Sequence, residues 1–130
     1  MNNWSKEILG KIYKRQAFKV FVLEDNRMFL ESLKFSLSRS FDKKIELSTF
    51  SESNSLIKGM EHAPNVLVMD YHLDDDSIIE GLELVKYVRE HHPKTQIIVL
   101  TSEKRLQTAL EFYKKGVSNY IKKDIGSINK

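Results

Sequence analysis

The sequence predicts an α/β domain built on a single parallel sheet. Three observations predict it: five short β-rich runs, longer stretches of helical apolar period between them, and a regular alternation of the two. The runs are residues 17–24 (AFKVFVLE), 45–50 (IELSTF), 65–70 (NVLVMD), 96–101 (QIIVLT) and 117–121 (VSNYI), each of strand length and rich in β-branched or aromatic residues. The first, third and fourth are almost continuously apolar, as strands covered on both faces of a parallel sheet must be. The second and fifth are more polar. Joining parallel strands through helices requires right-handed crossovers.

Four helices are predicted between these runs. In the first, Met28, Leu30, Leu33, Phe35 and Leu37 fall mainly at three- and four-residue steps and form the expected inward stripe. Ser51, Glu52 and Ser53 offer N-caps for a short second helix carrying Leu56, Ile57 and Met60, and Pro64 blocks its continuation. A third helix is predicted over residues 80–91, with Leu82, Leu84, Val85 and Val88 inward and Pro93 beyond its end. The fourth starts at Glu103 or Lys104 and runs to Lys115, with Leu106, Ala109, Leu110 and Tyr113 inward and Gly116 just past its end. Met28, Met60 and Met69 are expected to fill the core.

The ends of the chain differ from this pattern. Residues 1–16 carry Trp4, Ile8 and Ile12 at four-residue steps with Lys6, Lys11 and Lys14, which predicts a short basic amphipathic helix ahead of a domain at 17–130. Only seven residues follow Lys123, so the domain is expected to lack a full final helix or to have it replaced.

Gross properties narrow the function. A length of 130 residues suits one domain, and a 41% apolar, 30% charged composition is that of a folding globular chain. The absence of cysteine excludes a disulfide scaffold, a Cys-ligated zinc site and a thiol nucleophile. No apolar stretch reaches the roughly 20 residues of a membrane span, and the N-terminus is too polar for a signal peptide, so the expected location is the cytoplasm without membrane contact. A net charge of +3, with lysines scattered rather than gathered in a stripe, argues against direct nucleic-acid binding. No Gly-rich phosphate loop is present. His62, His72, His91 and His92 do not recur at ligand spacing and are expected at the surface.

In an open α/β sheet, ligands bind beyond the carboxyl ends of the strands. Glu24 and Asp25 end the first run, Asp70 the third and Thr101 the fourth, and Lys123 stands just after the fifth. Three carboxylates converging at one edge repel one another by several kcal/mol unless a cation sits among them. Hard oxygen donors without sulfur favour Mg²⁺. A magnesium ion, an ammonium and a hydroxyl together suit the oxygens of a phosphoryl group, which leaves Asp70 as the nucleophile.

These residues resemble the receiver domain of two-component response regulators, the CheY-like superfamily, over about Phe18 to Lys123. The resemblance implies a flavodoxin-like, doubly wound sheet of order 2-1-3-4-5. It implies that Glu24 and Asp25 hold Mg²⁺, with Asp25 the direct ligand, and that Asp70 is the phosphoacceptor. It further implies that the His72 carbonyl ligates the metal, that the side chains of His72 and Glu103 tune dephosphorylation, and that Lys123 contacts the phosphoryl group. Thr101 and Tyr120 match the hydroxyl and aromatic switch residues, and Gly116 to Lys123 resembles the fifth-strand signature. The implied partners are a histidine kinase or a phosphotransfer protein, with a homodimer left open. Because phosphoryl transfer is self-directed, the chain is not expected to be an enzyme. Three features depart from the pattern: Asp124 stands where a proline is usual, the loop after Asp70 is longer and more acidic through Asp74, Asp75 and Asp76, and the final helix is short of residues. The first two favour another reading, a pseudo-receiver that is not phosphorylated and acts as an interaction or dimerisation module, and an aspartyl-nucleophile phosphatase is a second competitor. The phosphatase would want an acid where His72 stands.

Overall fold

The computed structural model describes residues 18–24, 26–40, 45–71, 75–102 and 105–122. Five strands, β1 (Phe18–Leu23), β2 (Ile45–Phe50), β3 (Val66–Tyr71), β4 (Gln96–Thr101) and β5 (Asn119–Lys122), form one parallel sheet of order β2-β1-β3-β4-β5. Between them lie α1 (Arg27–Ser40), α2 (Ser53–Gly59) with a 3₁₀ turn (Met60–His62), α3 (Asp75–His91) and α4 (Leu106–Lys114). This is the flavodoxin-like order, with the strand sequence reversing between β1 and β3. Among the described residues no helix is long and apolar enough to cross a membrane.

Alternation along the strands gives the sheet two apolar faces. On the first, Phe21, Leu67, Met69, Ile97, Val99 and Tyr120 meet Leu56 from α2, Met60 from the 3₁₀ turn, Leu84, Val85 and Val88 from α3, and Ala109 and Phe112 from α4. The second holds Val20, Val22 and Val68, against which Leu30 and Leu33 of α1 pack. Burying aliphatic and aromatic side chains at about 1.5–3 kcal/mol each makes the first face the main source of stability.

Local signals set the element ends. At the amino edge Asn65 locks β1 to the turn before β3, accepting the Lys19 N–H on Oδ1 at 2.8 Å and donating its own N–H to the Lys19 carbonyl at 2.9 Å. The Thr95 hydroxyl donates to the Pro64 carbonyl at 2.8 Å, which fixes the approach to β4. The end of α4 is a Schellman turn. Gly116, at φ +106°, donates its N–H to the Tyr113 carbonyl, and Val117 donates to Phe112, at 3.1 and 3.2 Å. The Arg89 side chain lies close beneath that glycine, its Nη1 donating to the Pro93 carbonyl at 3.3 Å, and burial pushes the guanidinium pKa down.

The structure corrects several sequence expectations. Helix α3 begins at Asp75, five residues before the predicted start, so Asp75 and Asp76 belong to the helix rather than to the loop after Asp70. Carboxylates suit a first helical turn because its unpaired N–H groups carry partial positive charge. Helix α4 begins at Leu106 instead of Glu103 or Lys104. Met28 and Phe35, expected inward, are exposed on α1, and the buried residue is Phe29. The reason is that Phe29, Leu30, Leu33 and Leu37 share one face at three- and four-residue steps and this face meets the sheet, which leaves Met28 and Phe35 on the side away from it. On α4, Leu106, Leu110 and Tyr113 were expected inward but are exposed, and Thr108, Ala109 and Phe112 are buried. The predicted N-terminal helix over residues 1–16 lies outside the described residues, as does everything after Lys122.

Candidate functional site: the carboxyl edge of the sheet

Because all five strands are parallel, their carboxyl ends share one edge. Glu24 follows β1 directly. Its N–H donates to the Phe50 carbonyl at 2.9 Å, which extends the pairing with β2 by one residue. Glu24 is only 5% exposed, and its Oε1 accepts the Asn26 N–H at 2.9 Å. A buried carboxylate is unfavourable unless hydrogen bonds or a cation compensate it, and the Asn26 N–H is one such bond.

Asn26 is the residue that the sequence reading missed. Its Oδ1 accepts the N–H of Phe29 at 3.0 Å and its carbonyl accepts the N–H of Leu30 at 3.1 Å, the geometry of an N-cap. The turn after β1 is thus tied to Glu24 on one side and to α1 on the other. The signal was available: an asparagine immediately before an apolar-periodic run marks a helix start.

Asp70 is half-buried in β3, opposite Leu100 of β4. Leu23 is paired with Met69, so the next residues along the two strands, Glu24 and Asp70, reach the same level of the edge. Thr101 ends β4, fully buried, in register with Tyr71 on one side and Lys122 on the other. Tyr120 lies two residues lower, opposite Val99, with its ring buried 5.9 Å from that of Phe112. The Tyr120 N–H donates to Tyr113 Oη at 3.2 Å, which ties β5 to α4.

The structure therefore brings Glu24, Asp70 and Thr101 to the tips of three neighbouring strands, with Tyr120 behind Thr101. Asp25, His72, Glu103 and Lys123 lie outside the described residues. Among the described residues, no three His, Asp or Glu side chains gather as a metal site. Glu24 and Asp70 supply hard oxygen donors, a chemistry that fits Mg²⁺ or Ca²⁺ rather than zinc or copper.

Comparison with known proteins agrees with this architecture. The profile of the response regulator receiver domain matches residues 20–129. The chain is 30% identical over 105 residues to the photosynthetic apparatus regulatory protein RegA of Rhodobacter capsulatus, covering 80% of this chain and 54% of RegA. It is 27% identical over 110 residues to the DNA-binding transcriptional regulator NtrC of Proteus hauseri, covering 83% of this chain and 22% of NtrC. The chain thus spans about half or less of the length of these relatives. Among solved structures, the BeF₃-activated DrrB receiver domain superposes with a TM-score of 0.67 at 23% identity, over 88% of this chain and 92% of that one. The Mn²⁺-bound response regulator Rcp1 superposes with a TM-score of 0.70 at 14% identity, over 86% and 89%. A response regulator from Burkholderia pseudomallei, with a phosphorylated aspartic acid and a calcium ion, gives 0.64 at 26% identity, over 85% of this chain and 64% of that one. Strand order, the polar strand tips and the family profile converge on one conclusion: the chain belongs to the receiver-domain family of two-component response regulators.

Proposed function

We propose that Asp70 accepts a phosphoryl group from a histidine kinase or a phosphotransfer protein in a Mg²⁺-dependent reaction, and that this switches the partners of the domain. The observation that carries the reading is the placement of half-buried Asp70 between the buried residues Glu24 and Thr101 at the tips of adjacent strands. The Burkholderia relative, with its phosphorylated aspartic acid and calcium ion, supports carrying the same chemistry to this chain. Glu24, Asp25, Asp70 and the His72 carbonyl would hold Mg²⁺, which when bound neutralises charge on the phosphoryl oxygens.

An Asp70 carboxylate oxygen attacks phosphorus in line, the new O–P bond forms as the P–N bond to the donor histidine breaks, and the imidazole leaves. Lys123 and the Thr101 hydroxyl hold the phosphoryl oxygens. Thr101 turning towards the new charge disturbs the buried packing of Tyr120 and Phe112 beneath α4, and the exposed surface of α4 and β5 then changes its partner. The phosphoryl group stays on the chain, so the domain signals rather than turning over substrate.

Incubation with acetyl phosphate and Mg²⁺ followed by intact-mass measurement tests the reading. A single phosphoryl adduct is expected on the wild type, none on Asp70→Asn, and none on the wild type in excess EDTA. An adduct persisting on Asp70→Asn, or none on the wild type, rejects it. Absence of any adduct would leave a pseudo-receiver interaction module as the better description.

A further inference from the structure

Helix α3 carries a glycine in its interior, a position where glycine is unfavourable for the helix itself. Gly81 is buried, and a Cβ built on it would stand 3.2 and 3.4 Å from Cζ and Cε1 of Phe112, with Met69 Cε at 4.0 Å. Carbon atoms pack best at about 3.5–4.0 Å, so any side chain at position 81 would require the Phe112 ring to withdraw. The bare backbone of α3 is thus the seat of Phe112. Phe112 and the next residue of α4 both hold Tyr120. The two rings lie 5.9 Å apart, and Tyr113 Oη accepts the Tyr120 N–H at 3.2 Å. Phe112 is fully buried and Tyr120 nearly so, and a displaced Phe112 ring therefore moves into packed neighbours rather than into water. Tyr120 is in register with Val99, two residues before Thr101 on β4, and Met69 immediately precedes Asp70 on β3. The seat stands directly beneath the polar strand tips.

We propose that Gly81 is a positioning residue for the switch: by leaving room for Phe112 it fixes where the Tyr120 ring rests, and with it how readily Thr101 turns towards a phosphoryl group on Asp70. The effect on phosphoryl transfer rests on the reading of Asp70 given above, whereas the contact from Gly81 through Phe112 to Tyr120 does not. A methyl group at position 81 pushes Phe112 off α3 and crowds Tyr120. Close-packed interiors absorb such crowding by moving side chains, because they hold few voids to take it up. The slack that Thr101 needs for its turn is then lost. Since alanine suits a helix better than glycine, the variant gains helix propensity while the switch is disturbed.

Fluorine NMR of the full chain labelled with 3-fluorotyrosine tests the contact, with Tyr87→Phe and Tyr120→Phe identifying two of the five tyrosine lines. Gly81→Ala should move the Tyr120 line. The Tyr87 line should stay in place and report that the variant is folded, since that ring lies six residues along α3, stacked 4.1 Å from His91. In a Phe112→Leu or Phe112→Met background, whose slimmer side chain frees the seat, adding Gly81→Ala should move the Tyr120 line no further. With Mg²⁺ and acetyl phosphate, the phosphoryl adduct should form several-fold more slowly on Gly81→Ala than on the wild type, and this difference should vanish in the Phe112→Leu background. A Tyr120 line unmoved by Gly81→Ala overturns the proposal. So does an equal movement without the Phe112 ring, or equal rates of adduct formation on Gly81→Ala and wild type. If the Tyr120 line moves as expected and no protein forms an adduct, the reading of Asp70 fails and the contact stands.

Discussion

Helices α3 and α4 pack side by side on the same face of the sheet, and their sequences announce that face in opposite ways. In α3 the apolar stripe and the buried stripe coincide, with Leu84, Val85 and Val88 all in the core. In α4 the most regular apolar seam, Leu106, Leu110 and Tyr113, is 76%, 50% and 44% exposed, and the buried set is Thr108, Ala109 and Phe112. The difference lies at the ends and in the neighbours. The Schellman turn at Gly116 requires Val117 to follow Phe112 inward, which fixes the rotation of α4. Phe112 then fills the space left by Gly81 of α3, where an added Cβ would stand 3.2 Å from its ring. Apolar period identifies a helix, and the anchors at its ends choose which stripe is buried.

Substitutions can break or sharpen this contrast. Phe112→Ala should cost most, about 3–5 kcal/mol, read as a lower urea midpoint, because it empties a fully buried site. If Leu110→Ala cost as much, the rotation assigned to α4 would be wrong. Next comes Gly116→Ala, which forces a side chain into φ +106° with its Cβ 2.6 Å from Arg89 Cδ and should cost about 1–3 kcal/mol in the same assay. Asn26→Ala removes the cap of α1 and should cost about 1 kcal/mol, while also loosening the turn that holds Glu24. Leu110→Ala itself should shift stability by no more than about 0.5 kcal/mol, since its side chain is largely in water.

The same contrast explains what could be read from the sequence. Strands β2 and β4 match their predicted bounds, and β1, β3 and β5 differ by a residue or two, because runs such as NVLVMD and QIIVLT have no other stable reading in a chain of this period. The order of the strands came from the family resemblance and is the observed one. The start of α3 was hidden because Asp75, Asp76 and Ser77 are polar and carry no apolar period, although such residues favour a first turn. Met28 and Phe35, seven residues apart, mimic an inward stripe, and the richer stripe of Phe29, Leu30, Leu33 and Leu37 takes the sheet instead. Met60 and Met69 are buried as core filler, whereas Met28 is exposed. At the candidate site, the strand-tip rule expected Glu24, Asp70 and Thr101 at the carboxyl edge, which is where they stand, because that position depends only on the strand ends. Asn26 escaped it because a cap acts through the backbone rather than through charge.

The role of Asp70 can be tested at a single atom. Borohydride reduces an aspartyl phosphate to homoserine, so treating the Mg²⁺ and acetyl phosphate reaction with it and sequencing the peptides by mass marks the acceptor. Homoserine is expected at position 70 and nowhere else. Homoserine at position 25, 74, 75 or 76 with position 70 unchanged would contradict it.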